Sequence, residues 1–293
     1  MDIFRRLMIL VIAFSAIYIV CYGVNSYNSS KKLQEIKNIY YSEATYAEPA
    51  EVSVPATTIA VDDISDAVST ETIDEAESSD NEEVSEPVVS EKAVSPSLKP
   101  LLEKNPDTVG WLKIPGTNID NVVCQAADND YYLHHSFDKD EQKSGTLFAD
   151  YRCDIENSDN IIIYGHKQAD KTMFGTLTRY RDIEGFYEEN PIIEFSDLYN
   201  TYQYKVIAYF VCQTEENRYV KKEDLFDYYN YINFTDTHTA KNFFDNIAEL
   251  SEIVYVNDYK EGDRYLTLST CSYEFKGARF VVVAKKISEN SQN

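Results

Sequence analysis

The chain of 293 residues is 43% hydrophobic, which is enough apolar content for one large domain or two small ones. Its net charge of −23 is uneven, with +3 on residues 1–42, −14 on residues 43–96 and −12 on residues 97–293, and so acidic a chain repels polyphosphate, which argues against nucleic-acid binding. Five widely spaced cysteines without a CxxC pair argue against a disulfide scaffold, zinc binding and thioredoxin chemistry, so no cofactor and no metal is expected.

The N-terminal segment predicts a membrane-spanning helix. No charged residue occurs from Leu7 to Ser30, and residues 7–24 are nearly all apolar. At about 1.5 Å per residue, a helix of this length reaches roughly 27 Å, close to the thickness of the hydrocarbon core. A cleaved signal peptide is the alternative, but the apolar run is longer than usual and no small-x-small cleavage site follows it.

Basic residues lie on both sides of this span, so their positions alone do not decide its orientation. Arg5 and Arg6 precede it, whereas Lys31, Lys32 and Lys37 follow it. Because long C-terminal domains are translocated largely regardless of such charges, we expect a cytoplasmic N-terminus and an extracellular remainder. The sequence therefore predicts a single-pass protein of the cell membrane.

Composition divides the rest of the chain. Residues 44–96 are rich in Glu, Asp, Ser, Thr and Val and contain no Gly, Trp or Phe. Such a segment cannot bury enough surface to offset its ordering entropy, so we expect a disordered acidic linker that holds the following domain away from the membrane. The predicted organisation is a cytoplasmic tail 1–6, an anchor 7–24, a juxtamembrane helical segment 25–43, the linker 44–96, a folded domain 97–288 and a polar tail 289–293.

The folded domain is predicted to be mostly β. Eight short runs rich in β-branched and aromatic residues favour a closed or nearly closed barrel over a parallel α/β sheet. The predicted strands are 109–114, 121–125, 145–151, 160–166, 191–195, 203–212, 264–271 and 278–287. A few peripheral helices are predicted at 97–105, 128–137, 171–182 and 236–251, the last with the clearest amphipathic spacing.

Residues suited to catalysis occur at the ends of predicted strands. Cys271 ends one strand and Arg279 begins the next, so an antiparallel pair would place them side by side. His166 ends the strand 160–166. A sulfur nucleophile, a proton donor and a cation are the components of a thiol transpeptidase or protease. Taken singly, however, such a cysteine is more often a small buried hydrophobe, and such an arginine is usually a surface charge.

Three short motifs surround these residues. They are TLSTC at 267–271, followed by Arg279, together with YGH at 164–166 and MFG at 173–175. In these strings the chain closely resembles the sortase family of Gram-positive surface enzymes. The resemblance extends over residues 97–288, which is then the catalytic domain, and it accounts for a single N-terminal anchor.

Within this family the chain is most similar to class B. About fifty residues, including the predicted helix 236–251, separate the strands near Cys212 and Arg264, and such a helix-bearing connection is typical of that class. The chain has no Asp-Pro-aromatic lid motif before the barrel and no apolar C-terminal segment, which argues against class C. Because some class B members polymerise pili, wall anchoring and pilus assembly both stay open.

The resemblance implies the following roles. Cys271 is the nucleophile, His166 is the acid and base, and Arg279 donates to the oxyanion or to the substrate backbone. The implied substrate-binding residues are Asn129, Leu133, Ser269 and Thr270. The implied reaction cleaves a C-terminal sorting signal of surface proteins after its Thr, forms a thioester, and transfers the protein to an amine of peptidoglycan precursor.

Some interpretations compete with this one. A non-catalytic binding module on the same barrel is disfavoured because the Cys, His and Arg are all present, and a protease that only hydrolyses differs by acceptor. The remaining barrel cysteines are predicted to be core thiols at Cys124, Cys153 and Cys212. The carboxylates Asp258, Glu261, Asp263 and Glu274 are interpreted as a solvated rim rather than a calcium site. His134 and His135 are interpreted as surface or groove residues.

Overall fold

The computed structural model of the chain describes residues 2–44, 92–215, 221–222, 225–235, 237–253, 258–271 and 277–291. Most of the predicted linker 44–96 therefore lies outside the described residues, as do Glu274 and the last two residues of the predicted tail 289–293. The predicted domain limits stay predictions.

The described elements follow the predicted order of strands. The strands are β1 (Thr108–Lys113), β2 (Asp120–Cys124), β3 (Leu147–Ala149), β4 (Asn160–Tyr164), β5 (Ile192–Ser196), β6 (Asn200–Gln213), β7 (Tyr265–Cys271) and β8 (Ala278–Ser291). The helices are α1 (Asp2–Ala44), α2 (Lys99–Lys104), α3 (Tyr131–His134), α4 (Arg179–Asp182), α5 (Phe186–Glu189) and α6 (Ala240–Leu250), with a 3-10 turn at Tyr228–Asn230.

The eight strands close into a barrel in the order β1-β2-β3-β4-β7-β8-β6-β5, which confirms the predicted fold class. Pairs β2–β3 and β4–β7 are parallel, and the other pairs are antiparallel. Each of the eight described strands therefore has a hydrogen-bonded neighbour on both sides.

Strands β7 and β8 are buried on both faces. Leu266, Leu268 and Val282 belong to the core inside the barrel, whereas Tyr265 and Val283 pack in a second cluster with Phe243, Phe244 and Ile247 of α6. Helix α6 begins at its cap Thr239, whose side chain accepts a hydrogen bond from the Asn242 N–H. The helix within the β6–β7 connection, predicted from amphipathic spacing, thus covers the outer face of the strands that carry Cys271 and Arg279.

The predicted helix 171–182 is wrong over its first part. Lys171 and Met173 have φ of 66° and 48°, left-handed values that a continuing helix does not allow. The backbone instead turns so that the Phe174 N–H donates to the His166 carbonyl at 3.0 Å. Helix is described here only from Arg179 to Asp182, as α4.

Helix α1 joins the apolar segment to the barrel without interruption. Phe4–Ser42 is long and apolar enough to cross a membrane, and the side chains from Phe4 to Val24 are exposed. The following half packs on the barrel, where Ile36 is buried and the Tyr40 ring stacks on Trp111 with centroids 4.0 Å apart. Ser26 Oγ donates to Asp170 Oδ2 at 2.6 Å. The barrel therefore lies beside the end of the apolar segment rather than at a distance set by the linker.

Candidate active site

A pocket of about 320 Å³ opens at one end of the barrel and brings together every predicted site residue. These residues are Asn129, Leu133, His166, Ser269, Thr270, Cys271 and Arg279. The pocket wall also contains residues that sequence reasoning did not assign to a site: Phe148, Arg152, Tyr164, Gly165, Thr214, Tyr228 and Tyr229.

Strand register places Cys271 beside Arg279. The two residues are partners at the end of the antiparallel pair β7–β8, as the sequence predicts. On its other side Arg279 pairs with Cys212 of β6. Cys271 is partly exposed, whereas Cys212 is 5% exposed. Of the two cysteines that flank Arg279, Cys271 lines the pocket and Cys212 does not.

Register also brings His166 to the level of Cys271. In the parallel pair β4–β7, Tyr164 lies opposite Ser269, so the residues two positions further along the chain, His166 and Cys271, both emerge at the same barrel end. A side chain at Gly165 would place its Cβ 2.3 Å from Leu147 Cδ2, closer than packed carbon atoms approach. Any larger residue in place of the glycine of the YGH motif would therefore force the buried Leu147 and Phe174 side chains to move.

A backbone carbonyl fixes the orientation of the His166 ring. His166 Nε2 lies 2.8 Å from the Leu133 carbonyl oxygen. Because a carbonyl oxygen only accepts, Nε2 carries a hydrogen in this arrangement, and Nδ1 is the nitrogen that can take up or release a proton. Leu133, which lines the pocket, thus also orients the His166 ring through its carbonyl oxygen.

The hydroxyl groups of Ser269 and Thr270 bind within the protein. Thr270 Oγ1 donates to the Gly165 carbonyl at 2.8 Å, which ties β7 to the segment before His166. Ser269 Oγ and the Tyr228 hydroxyl are 2.6 Å apart. Both residues are 2% exposed, so their buried hydroxyls are satisfied by these contacts. No spacing rule pointed to Tyr228, because it lies in a 3-10 turn within a tyrosine-rich stretch.

A polar cluster forms another part of the wall. Asp150 is fully buried and binds Arg152, Asn129 and Tyr164. Burial alone would raise the pKa of Asp150, but hydrogen bonds and charge from Arg152 outweigh it and lower that pKa below its usual value. Burial raises the pKa of Tyr164. The cluster is therefore a carboxylate surrounded by donors. A charged pair at the end of an apolar run, in FADYR at 148–152, was the available sequence signal.

The other barrel cysteines differ from Cys271 in burial. All five cysteines are free, and Cys124, Cys153 and Cys212 are buried, as predicted for core thiols. Burial raises the pKa of Cys153 and of Cys212 to about 12, and it also raises the pKa of Cys124. Thiols of this kind remain protonated near neutral pH and are poor nucleophiles.

The carboxylates and the two histidines that the sequence analysis interpreted as surface residues do not line the pocket where the structure describes them. Asp258 and Asp263 form ion pairs with Lys285, with Oδ–Nζ distances of 3.1 and 2.8 Å. His134 lies near Asp130, and the His135 ring stacks on Tyr131. These contacts agree with a surface role for both histidines.

Comparison with known proteins identifies the family. The model of the sortase domain family matches residues 112–287. Sortase B of Staphylococcus aureus is 34% identical over 197 residues, which cover 66% of this chain and 76% of that protein. Sortase B of Listeria monocytogenes is 32% identical over 201 residues, which cover 67% of this chain and 76% of that protein.

The fold agrees with this match. A solved Staphylococcus aureus sortase B–substrate complex is similar with a TM-score of 0.56 and 34% identity, over 67% of this chain and 87% of that chain. The thiol at the strand end, the family match and the barrel together lead to one identification. The chain belongs to the sortase family, class B, and is a cysteine transpeptidase.

Proposed function

We propose that this sortase cleaves the C-terminal sorting signal of surface proteins after its Thr and transfers them to an amine of peptidoglycan precursor. The observation that carries the proposal is the shared pocket, where Cys271 lies beside Arg279 and at the level of His166. Asn129, Leu133, Ser269 and Thr270 line the same pocket and form the groove for the signal.

The first half-reaction forms a thioester. The Cys271 thiolate attacks the Thr carbonyl carbon, and the carbonyl electrons move to oxygen to give a tetrahedral oxyanion. The C–N bond then breaks as protonated His166 gives its proton to the leaving amine. The acyl group stays on Cys271, and the C-terminal fragment leaves.

The second half-reaction restores the thiolate. The acceptor amine attacks the thioester carbonyl, His166 takes its proton, and the Cys271 sulfur leaves. A new amide bond replaces the thioester. Water in place of the amine gives hydrolysis by the same steps, so the acceptor distinguishes a transpeptidase from a protease.

Arg279 supplies the positive charge for the oxyanion. Its Nη1 donates to the Ala278 carbonyl at 3.2 Å, and within the described ranges no carboxylate pairs with it. The planar guanidinium carries five N–H donors, so donors remain for a substrate oxygen. A cation preorganised in this way stabilises charge that develops only during the reaction.

The apolar half of α1 anchors the enzyme in the cell membrane in this proposal. The exposed side chains from Phe4 to Val24 match the length of a bilayer core. Arg5 and Arg6 favour a cytoplasmic N-terminus, and long C-terminal domains are translocated largely regardless of the lysines that follow the span. The barrel would then lie outside, where surface proteins and peptidoglycan precursor meet.

Fluorogenic peptides test the substrate assignment. Full-length protein in detergent is incubated with Asn-Pro-x-Thr-type and Pro-x-Thr-Gly-type signals, with and without a peptidoglycan-type amine or a lysine-bearing peptide. We expect cleavage after Thr and faster product formation with the wall-type amine. Preference for the lysine peptide would favour pilus assembly instead. Peptide binding without cleavage would indicate a non-catalytic module and contradict the proposal.

A further inference from the structure

An ion pair between a buried carboxylate and a partly exposed guanidinium lies at the wall of the active-site pocket. Arg152 Nε donates to Asp150 Oδ1 at 2.9 Å, and Arg152 Nη2 donates to Asp150 Oδ2 at 2.8 Å. The Asp150 side chain is 0% exposed, whereas that of Arg152 is 36% exposed and lines the pocket. Burial of a carboxylate costs free energy unless hydrogen-bond donors surround it. The donors around Asp150 are therefore expected to keep their positions.

The carboxylate orients two pocket residues. Asn129 Nδ2 donates to Asp150 Oδ2 at 3.0 Å, while Asn129 Oδ1 accepts the Tyr151 N–H, also at 3.0 Å. The Tyr164 hydroxyl donates to Asp150 Oδ2 at 3.0 Å. Asn129 lies before α3 and Tyr164 ends β4, so one carboxylate joins two separate parts of the wall.

The guanidinium joins a third part of the wall. Arg152 Nη2 donates to the Tyr229 carbonyl at 2.7 Å, and Nη1 donates to Asn230 Oδ1 at 3.3 Å. Both acceptors belong to the 3-10 turn whose Tyr228 contacts Ser269, two residues before Cys271. The pair thus connects the turn, the strand before His166 and the segment before α3.

We propose that Asp150 and Arg152 are positioning residues, which set the direction of the hydrogen bonds that the pocket offers to a bound peptide. An ionised carboxylate only accepts, so it requires both Tyr164 and Asn129 to donate to it. The Tyr164 oxygen then keeps its lone pairs for the pocket, and Asn129 keeps a second N–H. An acceptor and a donor of fixed direction match the N–H and C=O of a substrate peptide group.

This inference rests on the proposed function, in which the pocket holds the sorting signal. It also has a competing explanation, since an ion pair with a buried carboxylate can be purely structural. Asp197 provides a matched comparison. It is 2% exposed, and it accepts from the Tyr199 and Asn200 N–H groups and from the Tyr202 hydroxyl, yet it does not line the pocket.

The decisive variant is Asp150→Asn in the full-length enzyme. An amide of the same shape donates as well as accepts, so it no longer fixes the direction of the Tyr164 and Asn129 bonds. We expect the affinity for a sorting peptide, measured by fluorescence anisotropy in the Cys271→Ala background, to fall about tenfold or more. We expect kcat/KM of the otherwise unchanged enzyme to fall by a similar factor, mainly through KM.

Controls separate positioning from folding. Asp197→Asn is expected to lower the melting temperature while leaving peptide affinity unchanged. Tyr164→Phe is expected to weaken binding as Asp150→Asn does, and the double variant is expected to be no weaker than the more affected single one, because both changes remove the same contact. If Asp150→Asn does not fold, Arg152→Lys replaces it as the test variant. This change keeps the positive charge but loses the bidentate contact with Asp150, and it is expected to weaken peptide binding.

Two outcomes would overturn the inference: peptide affinity in Asp150→Asn equal to that in Asp197→Asn, or fully multiplicative effects of Asp150→Asn and Tyr164→Phe. Normal peptide affinity in a folded Arg152→Lys enzyme would overturn the part assigned to Arg152. A failure of the proposed function looks different, because the unmodified enzyme would then cleave none of the sorting peptides.

Discussion

Strand β8 carries a cation near each end of its pairing with β7, and the surroundings of the two cations differ. Lys285 pairs with Tyr265 at the start of β7, and its Nζ binds the carboxylates of Asp258 and Asp263. Burial alone would lower the pKa of Lys285, but hydrogen bonds to these carboxylates outweigh it and raise that pKa. The protein itself therefore satisfies this cation.

The surroundings of Arg279, at the other end of this pairing, contain fewer partners within the protein. Its strand partners are Cys271 and Cys212, and in the described parts of the chain it forms no ion pair. A cation already neutralised by carboxylates has little to offer a developing oxyanion, whereas one with free donors does. We therefore propose that Lys285 contributes to stability and Arg279 to catalysis.

The largest expected effect comes from the cysteines on either side of Arg279. Cys271→Ala should abolish peptide cleavage, because the methyl group cannot attack a carbonyl, and it should leave the circular dichroism spectrum unchanged. Cys212→Ala removes a buried sulfur at the matched position and should cost about 1 kcal/mol of stability with activity retained. More than trace cleavage by Cys271→Ala would remove Cys271 as the nucleophile.

Alkylation provides a second test of the same difference. A thiol-directed reagent should modify Cys271 in the folded enzyme and inactivate it, while Cys153 and Cys212, with pKa values of about 12, should react only after unfolding. Mass spectrometry of peptides from partly inactivated enzyme identifies the modified residue. Inactivation that follows labelling of Cys212 would contradict the assignment.

Arg279→Lys should have the next largest effect. The variant keeps the charge but loses the planar set of donors, so kcat should fall by about 10²-fold, as for a lost oxyanion donor, with little change in melting temperature. Steady-state kinetics and thermal unfolding are measured on the same preparation. Near-normal turnover with a lowered melting temperature would make Arg279 a structural residue like Lys285.

Periodicity predicted the barrel, and the motifs together with the family resemblance predicted half of the residues that line the pocket. Alternation in YLTLSTC gave strand β7, and the antiparallel pairing of Cys271 with Arg279 followed from the short connection between β7 and β8. The parallel alignment that brings His166 level with Cys271 was not predictable in this way, because it depends on a strand pair separated by about a hundred residues.

Side chains that act through tertiary contacts were missed. Tyr228 has no periodic signature, since it matters through a long-range hydrogen bond with Ser269. Asp150 was missed because its contacts with Asn129 and Tyr164 join segments that are separate in the sequence. The break in the predicted helix 171–182 was missed because left-handed Lys171 and Met173 are not glycines. The continuity of α1 was also missed, because its docking depends on contacts such as that of Tyr40 with Trp111.

Lys285→Gln should affect stability more than turnover. Loss of a partly buried ion pair should cost about 1 kcal/mol, or a melting temperature lower by about 3 °C, with kcat/KM unchanged. Acidification should have a related effect. Burial alone would raise the pKa of Asp263, but its bonds with Lys285 lower it below the ordinary value. Its stabilisation is therefore present above about pH 4 and is lost as the pH falls through the folded-state pKa.

The pH dependence of this stabilisation should weaken in Lys285→Gln, where the Lys260 N–H still donates to Asp263, and thermal unfolding between pH 3 and 7 measures it. Arg279→Lys is the matched control, and it should keep the dependence, since Arg279 lies at the opposite end of the ladder. An equal loss of acid-dependent stability in both variants would contradict the division between the two ends.

The smallest expected effect concerns the acidic segment, and it tests whether carboxylates of this segment pair with Arg279. Replacing residues 45–91 by a Gly/Ser sequence of the same length removes its negative charge and leaves α1, Lys92 and both ends of β8 intact. Because α1 contacts the barrel directly and the segment lacks core-forming composition, we expect kcat/KM for a short peptide to change less than about twofold. If carboxylates of this segment paired with Arg279, the replacement would instead raise kcat, and added salt would raise the activity of the unmodified enzyme towards the same level. Either result would mean that the cation in the pocket is neutralised until substrate displaces the segment.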